Sequence, residues 1–221
     1  MNRHWRLLAG LATVFLVGGC TTANCPVLHG FVTPIAYTHL DVRVYSGVSM
    51  SQTEGNEVAA KATTLLRTTQ TYTSAPPDYP CEAGLTIDNW APLELGGFDG
   101  RIDNAYDFSW VFGAAPNPTG GLMPTSVPPP TIADPRKVRV VLEVNWCGPE
   151  TANALGCADI SGRRIAVARP YDPDKEPVLW AHEAGHTHGL PDLGDLLQVM
   201  YGWIRPDNKL LTEPQCQSFR Q

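Results

Sequence analysis

The chain has 221 residues, with 22 acidic against 16 basic side chains and a formal net charge of −6. Charged residues make up only 17% of it, and no Lys/Arg cluster appears. This excludes the electrostatic footprint of a nucleic-acid-binding protein. The length suits one domain with a real apolar core, and 20 glycines with 20 prolines imply long connecting loops, not disorder.

Arg3, His4 and Arg6 form a short basic region ahead of an apolar run over residues 7–17. That run is too short to span a bilayer as a helix and reads as a secretory signal. Val17-Gly18-Gly19-Cys20 resembles a bacterial lipobox. The resemblance implies cleavage before Cys20 and lipidation of that cysteine. Residues 1–19 would then be a lipoprotein signal peptide, 20–35 a lipidated tether and 36–221 the folded domain. The other reading is an ordinary signal peptide beside an unrelated cysteine. Acyl chains on Cys20 would attach the protein to a membrane, at about 0.8 kcal/mol per buried methylene. Thr21 after the cysteine favours the outer membrane or cell surface of a diderm host.

Export suits the cysteines that remain: Cys25, Cys81, Cys147, Cys157 and Cys216. Cys147 with Cys157 is the easiest pair, closing a short loop between two strand-like runs. Cys25 with Cys81 is a plausible second bridge, which leaves Cys216 single. None shows the C-x-x-C spacing of a structural zinc site.

Along the domain, Leu40, Val42 and Val44 alternate with polar neighbours, which predicts a strand within residues 36–48. Residues 54–72 carry a helical stripe of Val58, Ala62, Leu65 and Leu66, with Ser51 or Thr53 as cap. A short strand is expected over 85–87. Residues 92–135 show no clear periodicity and turn Pro/Gly-rich from 114, as a surface insertion or a flap over a substrate. Residues 137–146 give the best strand of the chain, followed by a second at 165–168. A helix is predicted from Pro177 to about His188, stopped by Gly189 and Pro191, and a last short helix over 210–219. The order predicts a mixed α/β (α+β) domain.

The chemistry concentrates in His182-Glu183-Ala184-Gly185-His186-Thr187-His188-Gly189-Leu190-Pro191-Asp192. Residues four apart share one face of a helix, so His182 and His186 can offer two imidazole nitrogens to one zinc ion. Glu183, adjacent to the first ligand, is placed beside the metal. There it can take a proton from an attacking water. His188 falls nearly on the opposite side of the helix from His186, as a surface residue or as support for the ligands.

With Gly189 three residues after His186 and Asp192 three further on, this segment resembles the extended zinc motif of the metzincin clan of metallopeptidases. Asp stands in place of the usual final His, as in its snapalysin-like branch. Met200, followed by Tyr201, resembles the clan's methionine turn. The resemblance is sharp from about Val138 to Trp203. It implies a metzincin-like fold: a twisted mixed sheet, a backing helix, the zinc helix and a small C-terminal part. It further implies Zn2+ as cofactor, His182, His186 and Asp192 as ligands, Glu183 as general base and Met200 beneath the metal. Substrate, a peptide or protein, would lie extended against an edge strand near 165–168. Two other readings stay open: a catalytically silent surface lipoprotein that uses this fold for binding, and a structural-metal or zinc-storage protein. A silent site has no need of a base, and a structural site would take a fourth protein ligand.

Overall fold

The computed structural model describes residues 35–68, 81–113, 134–148, 154–169 and 172–221. The expected signal, Cys20, Cys25 and most of the Pro/Gly-rich stretch lie outside these residues. Residues Pro34–Gln221 form one unit.

Its centre is a five-stranded, mostly parallel sheet. The strands are β1 (Ala36–Tyr45), β2 (Ala83–Leu93), β4 (Arg136–Val141), β6 (Gly156–Ala158) and β7 (Arg164–Ala168), in the order β2-β1-β4-β7-β6. All pairs are parallel except β6 with β7. A second, two-stranded sheet pairs β3 (Arg101–Ile102) with β5 (Glu143–Val144). This is a mixed α/β fold, as the alternation of strand and helix signals implies.

Alternation along the strands divides the core between two faces. Leu40, Val42, Val138, Val140, Ile165 and Val167 share one cluster with α1 (Gln52–Thr68), α3 (Glu176–Thr187) and α4 (Glu213–Phe219). Val141 and Ala166 point the other way, into a cluster with Phe98, Ile102, Phe108 and Val111, the last two on α2 (Ala105–Val111). Helix α1 starts on a reciprocal cap: the Ser51 backbone N–H donates to Glu54 Oε2 at 2.7 Å and Glu54 N–H donates to Ser51 Oγ at 3.2 Å. It buries Val58, Ala62 and Leu66.

Several expectations are revised. The strand expected over 137–146 is two: at Leu142 the chain leaves the main sheet, donating from the Leu142 and Glu143 amides to the Gly100 carbonyl, and resumes as β5. Strand β2 is longer than expected, and α2 lies within a stretch that shows no periodicity. The segment at 165–168 is an interior strand, not an edge. The edge is β6, whose pairing with β7 covers it. Cys147 does bridge to Cys157, but Cys81 bridges to Cys216, not to Cys25. The reason is geometric: β2 begins beside α4, with the two Cα atoms 5.4 Å apart.

At the entrance to α3, Glu176 is fully buried and receives both arms of Arg169, at 2.9 and 3.1 Å. Arg169 also donates to the Ser49 carbonyl, tying the end of β7 to the loop before α1. Removing one partner of such a pair costs about 3–5 kcal/mol.

The Cys81–Cys216 bridge spans 135 residues. A crosslink closing so long a loop removes about 5 kcal/mol worth of unfolded-state entropy in the chain-entropy model. The double variant Cys81→Ser/Cys216→Ser is therefore expected to lose about 3–5 kcal/mol in urea unfolding without reductant. An unchanged midpoint would contradict this.

Candidate metal centre

Helix α3 brings His182 and His186 onto one face, one turn apart, and then stops abruptly. Gly189 takes a φ of 82°, so its amide donates back to the His186 carbonyl (2.9 Å), and the Leu190 amide to the Gly185 carbonyl (3.1 Å). This pattern needs a left-handed residue after the cap, which glycine adopts without steric cost. The turn reverses the chain and delivers Asp192 to the two histidines.

Three donor atoms converge. His182 Nε2 and His186 Nε2 lie 3.0 Å apart, and Asp192 Oδ1 lies 3.3 Å and 3.5 Å from them. Each imidazole is held through its other nitrogen. His182 Nδ1 donates to the Val199 carbonyl at 2.9 Å, and His186 Nδ1 donates to the Leu190 carbonyl at 2.7 Å. With Nδ1 of each ring donating to a carbonyl, both Nε2 atoms face the same point and Asp192, where a metal ion can take the place of the proton shared among them. A tetrahedron with zinc–ligand bonds of about 2.0–2.1 Å has edges of about 3.3–3.4 Å, close to the separations found. Two neutral imidazoles and a carboxylate thus fit one zinc ion. Among the described residues this is the one such group of His, Cys, Asp and Glu. The histidines are largely enclosed while Asp192 is exposed, so the site opens to solvent on that side.

Charge is unevenly distributed here. Burial disfavours a protonated His182, but the Asp192 hydrogen bond, the Glu183 charge and the Val199 carbonyl outweigh it and raise its pKa. Burial and the neighbouring His182 push His186 down. The His182 hydrogen bond holds Asp192 below its usual value. Glu183 is buried, and its Oε2 has no hydrogen-bond partner in the structure. Burial raises its pKa to about 7, opposed by the positive charge of His182 and reinforced by Asp192. A carboxyl group poised there can both accept and release a proton near neutrality.

Met200 is fully buried below the helix. It reaches α3 at Gly185, where a β-carbon would overlap Met200 Sδ and lie 3.0 Å from its Cε and 3.2 Å from Phe219 Cζ. Its carbonyl accepts from the Leu193 amide at 2.7 Å, which fixes the residue after Asp192. One loop therefore supports the site twice, from beneath the helix and behind the carboxylate.

His188 caps the C-terminus of α3, away from the three donors. Its Nε2 lies 2.8 Å from Thr38 Oγ1 on β1, and its ring packs on Phe219. It is half-buried, and burial together with the charge of Arg136 pushes its pKa down to about 4. It is a structural link between α3, β1 and α4. Sequence reasoning missed the Val199 and Leu190 carbonyls, which any residue type could supply. It also missed Gly185 and Gly156 as packing sites.

No protein-family model matches the chain, and no curated protein matches it. Solved structures do. An archaemetzincin from Methanopyrus kandleri shares 14% identity over 84% of this chain and 87% of its own, with a TM-score of 0.44. A zinc-dependent peptidase from Methanocorpusculum labreanum shares 14% identity over 82% of this chain and 100% of its own, at 0.47. Metalloproteinase-II from Bacteroides fragilis shares 12% over 85% of this chain and 53% of its own, at 0.47. At such identities and scores these likenesses assign no activity, which has to come from the site's own atoms.

If one zinc ion is held by these three donors, adding zinc to chelator-treated protein should raise the Tm. At a hundredfold excess over Kd the gain is about 2.7 kcal/mol. His182→Ala and His186→Ala should abolish the gain in a calorimetric scan. An equal zinc-dependent shift in those variants would place the metal elsewhere.

Proposed function

We propose that the chain is a zinc metalloendopeptidase, exported and lipid-anchored, that hydrolyses peptide bonds with Glu183 as general base. The observation that carries this reading is the buried carboxyl of Glu183, whose Oε2 has no hydrogen-bond partner, interacting with His182 and Asp192 where three donor atoms converge on one open point. Zinc, when bound by His182, His186 and Asp192, supplies a Lewis acid that acidifies a water and polarises a carbonyl. Glu183 takes the proton of the attacking water and gives it to the leaving amine, as a general base and then a general acid. Nδ1 hydrogen bonds to Val199 and Leu190 keep both imidazoles turned toward the centre throughout. Met200 acts as the support of the helix at Gly185.

Substrate would lie along the edge strand β6. Leu155 and Asp159 bond to β7 through the Ala168 amide and the Arg164 carbonyl. Alternation of an antiparallel ladder then turns the backbone groups of Gly156 and Ala158 to the outer side, where an extended peptide can pair. A catalytically silent binder would bury Glu183 without recompense, because an isolated acid in that position costs stability.

Attachment through Cys20 belongs to the same proposal. It is supported by the lipobox resemblance and by two disulfides among the described residues, which suit an oxidising compartment. Among those residues no helix is long and apolar enough to cross a membrane.

The full chain in mild detergent should cleave an unstructured protein such as casein, and chelation should stop it. Glu183→Gln should keep its zinc and lose at least about 10²-fold in kcat, the lower end of what general acid–base catalysis contributes. Cleavage by Glu183→Gln at the parental rate would remove Glu183 from the chemistry. Zinc-loaded parent protein without cleavage of any unstructured substrate would count against the peptidase reading.

A further inference from the structure

Gly156 is a glycine for a reason other than backbone conformation, since it is not among the glycines with positive φ. What the structure uses is its missing side chain. A β-carbon there would overlap Glu183 Oε1 and lie 2.7 Å from Cδ and 2.8 Å from Cγ, against about 3.5–4.0 Å for ordinary carbon contacts. All three nearest atoms belong to the Glu183 side chain. The strand that carries Gly156 has little room to retreat. It is paired with β7 along its inner side, with Cys157 opposite Ala166, and the buried Cys157 is bridged to Cys147. On the other side of the contact, Glu183 sits in the middle of α3, a helix buried over nearly its whole length. Backbone therefore confines the carboxyl group from both sides, and the only soft element is the Glu183 side chain itself.

We infer that Gly156 is a positioning residue for the general base: its bare α-carbon forms the slot that seats the Glu183 carboxyl beside His182, His186 and Asp192. This rests on the metallopeptidase reading. The slot lies on the strand proposed to pair with substrate, so one residue sets both the seat of the base and the line of the peptide it acts on. A methyl group at position 156 would be accommodated by rotating Glu183 away, because a side chain yields more easily than a bridged strand or a packed helix. The fold and the three zinc donors, none of which touches Gly156 among its nearest atoms, would stay in place.

The test is Gly156→Ala in the full-length, zinc-loaded protein, alone and combined with Glu183→Asp. Gly156→Ala should keep one zinc per chain and the parental Tm within a few degrees. Its kcat should fall on the order of 10²-fold with KM within about threefold, as expected when a catalytic group is displaced by about an ångström. In the Glu183→Asp background the shorter acid has already vacated the slot, so adding Gly156→Ala should cost less than about threefold, a strong departure from additivity. Parental kcat in Gly156→Ala, or the same fold-loss in both backgrounds, would overturn the inference. A crystal structure of Gly156→Ala gives a readout independent of turnover: the Glu183 carboxyl should be rotated out of the slot, and an unmoved carboxyl would overturn the inference as well. Absence of cleavage by the parent protein would sink the peptidase reading instead, and the crystallographic comparison would still decide the role of Gly156.

Discussion

Two imidazole Nε2 atoms face each other across 3.0 Å, and much of the molecule serves to keep them there. Left to themselves, two neutral histidines would turn their Nε2 atoms apart. Here each is locked by a hydrogen bond from Nδ1 to a backbone carbonyl, Val199 for one and Leu190 for the other. The carboxylate of Asp192 adds negative charge at the same point, so the three donors together favour a cation there.

That orientation requires elements far apart in the chain to meet. The Leu190 carbonyl is available only because Gly189 turns the helix end back on itself. The Val199 carbonyl and the Met200 side chain come from the next loop, which can approach so closely because position 185 has no side chain. Strand β7 and helix α1 pack against α3 in the main apolar cluster, and the Arg169–Glu176 pair holds its start. Strand β6, pinned by Cys147–Cys157, closes the wall on the Glu183 side. Helix α3, strand β6 and the hydrogen-bonded loop after the helix thus supply the fixed positions, and the exposed Asp192 leaves the remaining side open to solvent.

How much of this was readable in the sequence depended on the range of the interaction. Helix α1 is legible from Ser51 or Thr53 as candidate caps and the Val58, Ala62, Leu66 stripe, and the structure settles the cap on Ser51 with Glu54. The spacing of His182, Glu183 and His186 is likewise local, so the convergence of the two histidines could be foreseen from helix geometry alone. Asn104 caps α2 by accepting from the Tyr106 and Asp107 amides, a local sign that the lack of periodicity around it obscured. By contrast β6 is three residues long and has no alternation of its own, so only its pairing with β7 makes it a strand. That is why the sequence alone points to residues 165–168 as the edge. The break at Leu142 is invisible because alternation continues through it while the Gly100 carbonyl, 42 residues away in another loop, redirects the chain. The partner of Cys81 lies 135 residues away, and no local pattern encodes such a pairing.

The proposed site requires one ion at one point, and anomalous diffraction at the zinc absorption edge locates it directly. Crystals of the zinc-loaded protein should show a single strong peak about 2.0–2.2 Å from His182 Nε2, His186 Nε2 and an Asp192 oxygen, with the fourth position free of protein side chains. A peak elsewhere, or a centre closed by a fourth protein ligand, would contradict a catalytic metal site in this chain.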